Sequence, residues 1–372
     1  MRVKNIYLNN YRNYIEQALK PSEGLNIFVG ANAQGKTNLI ESMEYAALGR
    51  SQRASKDVEL IRWEQSTAVV RLTYEKFGVE HSIAFELNRQ NRRRLFLDDQ
   101  PIRIRELIGK FNIVYFSPED LFLIKGAPVN RRRFLDAEIS QASPVYFADL
   151  LTYNKILAQR NALLKNIRDG AAASNGLALW NEQLATAAVK ILCKRIETVD
   201  KLNAIADKIQ SKLSKGKETL SIKYETKELD GLKFDGGLTD ELVARYHNTL
   251  NKFDAVDIAR GTTTVGPHHD DLRFMINGRE LRSFGSQGQQ RTAVLSLKLS
   301  ELEFLNDETG AYPVLLLDDV MSELDSARRT ELLDFLRRNR IQTFITAVGE
   351  TYFEPDLDAA FFDVDNAVIN AR

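Results

Sequence analysis

An α/β fold is what this sequence predicts: a mixed β-sheet with flanking helices, an antiparallel β subdomain and an inserted short helical arm. Three observations carry that expectation. A glycine-rich loop, Gly30-Ala31-Asn32-Ala33-Gln34-Gly35-Lys36-Thr37, follows a short apolar run, Leu25–Val29, and precedes a helical stretch that reaches Leu48. Far along the chain a second apolar run, Val314–Leu317, ends in Asp318-Asp319. Between them, residues 143–215 lose all β-like alternation and carry apolar residues at helical spacing. The expected organisation is a head split into residues 1–126 and 216–372, with the arm at 127–215.

The glycine-rich loop has the P-loop pattern, Gly, four residues, then Gly-Lys-Thr, in its proper strand-to-helix setting. Gly30 and Gly35 let the backbone wrap a phosphate without a Cβ in the way, and successive N–H groups point at the anion. The next helix adds its positive end. Lys36 supplies a charge for the β- and γ-phosphates, and the Thr37 hydroxyl can ligate Mg²⁺. Gly30, Ala31, Asn32, Ala33, Gln34, Gly35, Lys36, Thr37 and Asn38 are therefore the expected nucleotide-binding residues.

The 372 residues allow two or three domains, and an apolar share of 44% is enough for a sizeable core. The net charge is zero, so bulk charge favours no partner, but its distribution is uneven. Residues 127–215 carry fourteen Lys/Arg against eight Asp/Glu, a surplus of +6 that makes the arm a candidate polyanion surface. A solvated helical face explains the same surplus. A single cysteine, Cys193, rules out a disulfide framework or a cysteine metal site within this sequence. The start, Met-Arg-Val-Lys-Asn, has no apolar leader, and no stretch of 18 apolar residues occurs, so a cytoplasmic location is expected.

In chain order, Val3–Leu8 reads as a strand. Tyr7, Tyr11, Arg12 and Tyr14 after it suit either a nucleotide base or packing under a sheet edge. Val58–Trp63, Thr67–Tyr74, Glu80–Leu87 and Arg94–Leu97 read as antiparallel strands. The turn at 88–94 carries four arginines, of which Arg92, Arg93 and Arg94 are candidate DNA contacts, although such tips are commonly just solvated. After strand Phe111–Phe116, Ser117-Pro118 is a helix-start signal. Arg131 and Arg132 in Asn130–Asp136 are further candidate DNA contacts, or simply a surface helix start. In the arm, two apolar stripes flank a turn at Gly170–Gly176, with Lys155, Arg160, Lys165, Lys190, Lys194 and Arg195 on the polar faces. Thr219–Tyr224 is expected to rejoin the head as a strand, Thr239–Phe253 to be helical, and Leu272–Ile276 with Arg279–Leu281 to form a hairpin around Asn277-Gly278. His268, His269, Asp270 and Asp271 have metal-capable groups, but neighbours on a strand face opposite ways, so turn or interface roles suit them better.

Ser286-Gln287-Gly288-Gln289 opens a long amphipathic helix at about Thr292–Asn306. Hydroxyl, backbone N–H groups and helix dipole can converge there on an anion, which makes Ser286, Gly288 and Gln289 nucleotide-binding candidates. Val314–Asp319 reads as a buried parallel strand ending in the Walker B arrangement. Alternation separates the two carboxylates: Asp318 would hold Mg²⁺, and Asp319 would orient or deprotonate the attacking water. Lys36, Asp318 and Asp319 are thus the catalytic candidates, with Thr37 and Asp318 for the metal. Gln342–Ala347 is a further strand, with Thr346 at its end near where a γ-phosphate sensor would sit.

Taken in order, these motifs resemble the ABC-type ATPase heads of the SMC-like DNA-repair proteins. Over essentially the whole chain they are similar to the RecF family. The residues that carry this are Asn9–Tyr14, Gly30–Asn38, Asn130–Asp136, Gly266–His268, Ser286–Arg291 and Asp318–Asp325. His269 stands where the family pattern usually has a basic residue, often Arg, and Asp319 is shorter than the Glu of most ABC heads, which fits slow hydrolysis. The resemblance implies a weak DNA-dependent ATPase of recombinational repair. ATP would lie between two heads of a homodimer, the P-loop and Walker B of one facing Ser286 and Gly288 of the other. ATP-driven dimerisation would clamp single- or double-stranded DNA at gaps, and hydrolysis would release it. RecO and RecR would be partners, in RecA loading and the SOS response, with no membrane involved.

Three rival readings differ in kind. A transporter-type ABC subunit would need a membrane-coupling apolar surface. In a nucleotide-switched scaffold without significant turnover ATP would only switch dimerisation; Lys36, Thr37, Asp318 and Asp319, all intact, favour hydrolysis. A small-molecule P-loop kinase would not need the Ser286–Gln289 element.

Overall fold

Leu25-Asn26-Ile27-Phe28-Val29 offers no polar face to water, so this strand must lie in a sheet covered on both sides; all five residues are buried. The computed structural model describes residues 1–226 and 239–372. It divides into two units, Met1–Leu121 with Val294–Arg372, and Phe122–Ala293.

The first unit opens with β1 (Arg2–Tyr11), β2 (Tyr14–Leu19), β3 (Leu25–Val29) and α1 (Lys36–Leu48). It continues through β4 (Thr67–Lys76), β5 (Val79–Asn88), β6 (Arg94–Leu97), β7 (Gln100–Pro101), α2 (Ile104–Leu107) and β8 (Ile113–Phe116). The second unit holds α3 (Phe122–Lys125), α4 (Pro128–Ala142), α5 (Pro144–Arg168), α6 (Leu177–Leu213), β9 (Leu220–Glu225), α7 (Asp240–Arg260), β10 (Asp271–Ile276), β11 (Arg279–Glu280) and α8 (Leu281–Phe284). Helix α9 (Gln287–Thr309) starts there and joins the first unit from Val294. β12 (Val314–Asp318), α10 (Ser326–Arg338), β13 (Thr343–Ala347), β14 (Ala359–Asp365) and β15 (Val368–Ala371) complete the first unit.

Two six-stranded sheets build the first unit. One runs β2-β1-β4-β5-β6-β7 and is antiparallel throughout. The other runs β15-β14-β3-β13-β12-β8, parallel except for the β14–β15 hairpin. A single core cluster takes Leu8, Val70 and Phe85 from the first sheet, Phe28, Leu316 and Phe344 from the second, and Leu39, Ile40 and Met43 from α1. Helix α1 is therefore buried nearly all round, which fixes the glycine-rich loop at its N-terminus. The stretch expected as a strand at Val58–Trp63 is instead a short 3-10 turn, Asp57–Leu60, with one bridge from Ile61 to Tyr11.

In the second unit, β9, β10 and β11 form an antiparallel sheet of their own. The sequence reading assigned residues 216–293 to the head; the structure groups them with the arm, and the second unit begins at Phe122. The reason is local. Side chains of α6 satisfy the strand's N–H groups: Leu220 N donates to Asp207 Oδ1 (2.9 Å) and Ile222 N to Asn203 Oδ1 (2.7 Å). Two arginines read as surface residues are also core residues. Arg160 is fully buried and donates to Asn181, Asp254, Asp257 and Thr263. Arg195, 2% exposed, donates to Asp136, the Tyr146 and Tyr224 hydroxyls, and the Pro267 carbonyl. A buried charge persists only when paired, so these arginines tie α4, α5, α6, α7 and β9 together.

Helix α1 also buries Glu44, and burial pushes its carboxyl up to about 7. Below the ordinary carboxylate range, folded and unfolded chains both hold this proton and nothing is lost. As pH rises from about 4.5 through 7, the unfolded chain ionises first, and folding loses about 3 kcal/mol. Glu44→Gln removes this slope. The variant should gain thermal stability over the wild type at pH 8 and gain little at pH 5; an unchanged difference between the two pH values would contradict the assignment.

Candidate nucleotide-binding site

The loop after β3 takes its shape from close backbone approach. A Cβ on Gly30 would overlap the Val364 carbonyl of β14, and Gly30 N donates to Ala347 O of β13 (3.3 Å). Gly35 has φ 117°, a left-handed conformation that side chains rarely adopt, and a Cβ there would press on Asn13 and the Tyr14 hydroxyl. Two hairpin turns brace the loop. From the β1–β2 turn, Asn13 Nδ2 donates to Gln34 O (3.3 Å) and Tyr14 OH to Gly35 O (3.1 Å). From the β14–β15 turn, Asn366 N donates to Gln34 Oε1 (2.6 Å) and Ala367 N to Gln34 O (2.9 Å). Asn38 Nδ2 closes the ring on Asn13 Oδ1 (2.8 Å).

Lys36 is 7% exposed, and its ammonium donates to Gly30 O (2.6 Å) and Ala31 O (2.8 Å). Burial lowers its pKa, opposed by Asp319 and Asp318. The Thr37 hydroxyl donates to Asp318 Oδ1 at 3.0 Å, which joins the start of α1 to the end of β12. Thr346 of β13 donates to the same oxygen (2.7 Å) and accepts the Asp319 N–H (2.9 Å). Tyr115 of β8 donates to Asp318 Oδ2 at 3.4 Å. Helix α1 and the two strands flanking β12 thus orient one buried carboxylate. Asp319 sits at φ 55° and turns away from the strand. Burial and the charge of Asp318 raise its pKa, while Lys36 pulls it down.

A hydroxyl and a carboxylate oxygen converging beside a helix N-terminus are hard oxygen donors of the kind that Mg²⁺ takes. Thr37 and Asp318 therefore fit the metal, and the glycine loop with Lys36 fits a polyphosphate. Glycine positions a Cβ would fill, a cation on the loop and an oxygen pair beside it together suit phosphoryl chemistry.

In the second unit, Ser286, Gln287 and Gly288 are exposed. Ser286 Oγ accepts the Gln289 N–H (3.2 Å), and Gln289 Oε1 accepts the Ser286 N–H (2.9 Å). This reciprocal capping box satisfies two free donors at the start of α9, which is longer at this end than periodicity alone predicts.

The candidate DNA contacts divide. Arg92 and Arg94 are exposed, Arg94 paired with Glu86. Arg93 points inward, donating to Tyr45 OH (3.0 Å), Gly49 O (2.6 Å) and Asp57, so its reading as a surface contact is corrected. Arg131 is 3% exposed and forks onto Asp271 (2.6 and 2.8 Å), so it too is structural. Arg132 is half-buried and donates to Asp270 O (2.8 Å). Tyr11 and Tyr14 are buried, and Arg12 is bidentate to Glu41 (2.8 and 2.6 Å), so these residues pack and brace. His268 lies between Tyr153 OH (2.5 Å) and Thr263 O (3.2 Å), and burial pushes it down to about 4. No cluster of three or more His, Cys, Asp or Glu placed to hold a metal is found among the described residues. Tyr115, Asn366 and Ala367 carry no local signal of this role, since their contacts to the loop and to Asp318 span up to some 330 residues.

The two sheets, the braced loop and the β12 carboxylates define a P-loop ATPase head of the SMC kind. The family model described as RecF/RecN/SMC N terminal domain matches residues 2–364. Among curated relatives, the DNA replication and repair protein RecF of Natranaerobius thermophilus is 42% identical, over 98% of this chain and 97% of its own length. That of Halothermothrix orenii is 44% identical, over 93% and 92%. A solved recombination mediator protein RecF with ATP, described in the RecFOR pathway, has a TM-score of 0.91 at 37% identity, covering all of this chain and 97% of the other. An Smc head bound to part of ScpA has a TM-score of 0.57 at 15% identity, a likeness of fold alone. The chain belongs to the RecF family of DNA replication and repair proteins. No described helix is long and apolar enough to cross a membrane.

Proposed function

We propose that this protein is an ATP-dependent DNA-binding protein of recombinational repair whose two heads close on ATP. The observation that carries the reading is the junction of Thr37, Asp318 and Thr346, which joins the P-loop to Walker B within one unit. Lys36 and the loop N–H groups would hold the β- and γ-phosphates, and Asn13, Tyr14 and Asn366 keep the loop in shape. Thr37 and Asp318 would hold Mg²⁺, which when bound neutralises phosphate charge. Asp319 would orient the attacking water, and Thr346 keeps both Walker B residues in place. Ser286, Gly288 and Gln289 belong to the other unit, and their exposed helix start is open to the phosphates of a second copy. The cytoplasmic location, slow DNA-dependent hydrolysis and RecO- and RecR-type partners rest on family membership and on the RecFOR setting of the solved relative.

Fluorescence anisotropy with a labelled gapped duplex tests the reading. Binding should be at least about ten-fold tighter with ATP and Mg²⁺ than without nucleotide, and that gain should vanish in Lys36→Met. Equal affinity under all conditions would remove the nucleotide from the DNA-binding mechanism.

A further inference from the structure

The first unit displays one large aromatic side chain almost wholly to solvent: Trp63 is 88% exposed. It occupies the tip of a tight turn closed by the Gln65 N–H on Arg62 O (3.1 Å), with Glu64 at φ 64°. The turn is held from several sides. Arg62 N donates to Asn10 O of β1 (2.8 Å). The Arg89 guanidinium donates to the carbonyls of Gln65 (2.7 Å), Ile61 (3.2 Å) and Arg62 (3.3 Å), and Arg89 N to Ser66 O (3.0 Å). Arg93 fastens the other flank of the same hairpin to Gly49 O and Asp57. The arginine-rich turn is thus partly scaffold: Arg89 and Arg93 knit three loops together, and Trp63 is presented on the result.

The surroundings select the occupant. Residues 50–66 and 88–94 carry eight Lys/Arg against three Asp/Glu, a surplus of +5. Arg53, Lys56 and Arg92 are exposed. A groove of about 480 Å³ opens on β4 and β5 beside the turn, and Thr67, Glu86, Asn88, Asn91, Arg92 and Arg94 line it, with Arg94 paired to Glu86 and Arg92 exposed. A rigid aromatic platform next to a basic groove is how unpaired nucleic-acid strands are held: a base stacks on the ring while cations follow the phosphates. A duplex keeps its bases stacked on one another and offers no free face to the ring.

We propose that Trp63 stacks on a base of single-stranded DNA, with Arg92 and the adjoining groove following its backbone. This deepens the DNA-binding reading above and rests on it, by naming the unpaired strand as what this surface takes.

The chain has two tryptophans, Trp63 and Trp180, so Trp180→Phe makes Trp63 the sole indole reporter. In that variant with ATP and Mg²⁺, oligo(dT) should quench the emission and shield it from acrylamide, and a blunt duplex of equal length should do neither. At fixed salt, Trp63→Ala should bind oligo(dT) about ten-fold more weakly, with duplex affinity and ATP binding unchanged and Trp63→Phe largely restoring it. Unchanged emission and undiminished Trp63→Ala affinity, in a protein that binds oligo(dT), would overturn the stacking role and leave the DNA-binding reading standing. The same holds if the protein binds duplex only, as it would if Trp63 served a protein partner. Failure of the wild type to bind either DNA would overturn both.

Discussion

Lys36→Met is expected to weaken ATP binding by about 100-fold or more. The glycine loop holds the ammonium on Gly30 O and Ala31 O, and burial makes its charged form costly until an anion meets it. A charged hydrogen bond contributes about 1.5–3 kcal/mol, so losing one or two of them from a polyphosphate site spans that range. Methionine keeps the length and apolar stem of the side chain, and the bracing of Gln34 and Gly35 by Asn13, Tyr14, Asn366 and Ala367 does not pass through Lys36. The variant should therefore fold normally. Titration calorimetry with ATP checks it; wild-type affinity in a folded Lys36→Met protein would place the nucleotide elsewhere.

Asp319→Asn should separate binding from hydrolysis. Asp319 sits in the left-handed region, which asparagine tolerates at least as well, so the substitution removes charge without straining the backbone. Its N–H still meets the Thr346 hydroxyl, and Asp318 keeps Thr37 and Thr346. ATP affinity should stay within about three-fold of the wild type, while turnover falls by about 10²–10⁴, the range for removing a positioned general base. Phosphate release under saturating ATP is the measurement. Undiminished turnover would remove Asp319 from the chemistry.

The elements that frame the site were legible because they are local: Gly30–Thr37 joins β3 to α1, and Val314–Asp319 is a strand and the turn that ends it. The sheet strands from Thr67 to Leu97 followed from alternation and turn residues, and Ser286–Gln289 is likewise a short-range signal. What escaped depends on partners distant in sequence. An arginine on a polar helical stripe looks the same whether it faces water or carboxylates, and Arg160 meets Asp257 some 97 residues away, as Arg131 meets Asp271 some 140 away. The same blindness hid Tyr115 and Asn366. It also placed β9 with the head, because nothing within Leu220–Glu225 shows that Asn203 and Asp207 of α6 will take its N–H groups.

The central claim, that ATP is held between two copies of the chain, is tested most directly by light scattering on a size-exclusion column, with and without ATP and Mg²⁺, on Asp319→Asn alone and combined with Ser286→Arg. The account predicts a dimer for Asp319→Asn with ATP and a monomer without it. The added arginine at the start of α9 should leave ATP binding intact and abolish the dimer. A monomer under every condition, with ATP bound, would contradict the two-copy site.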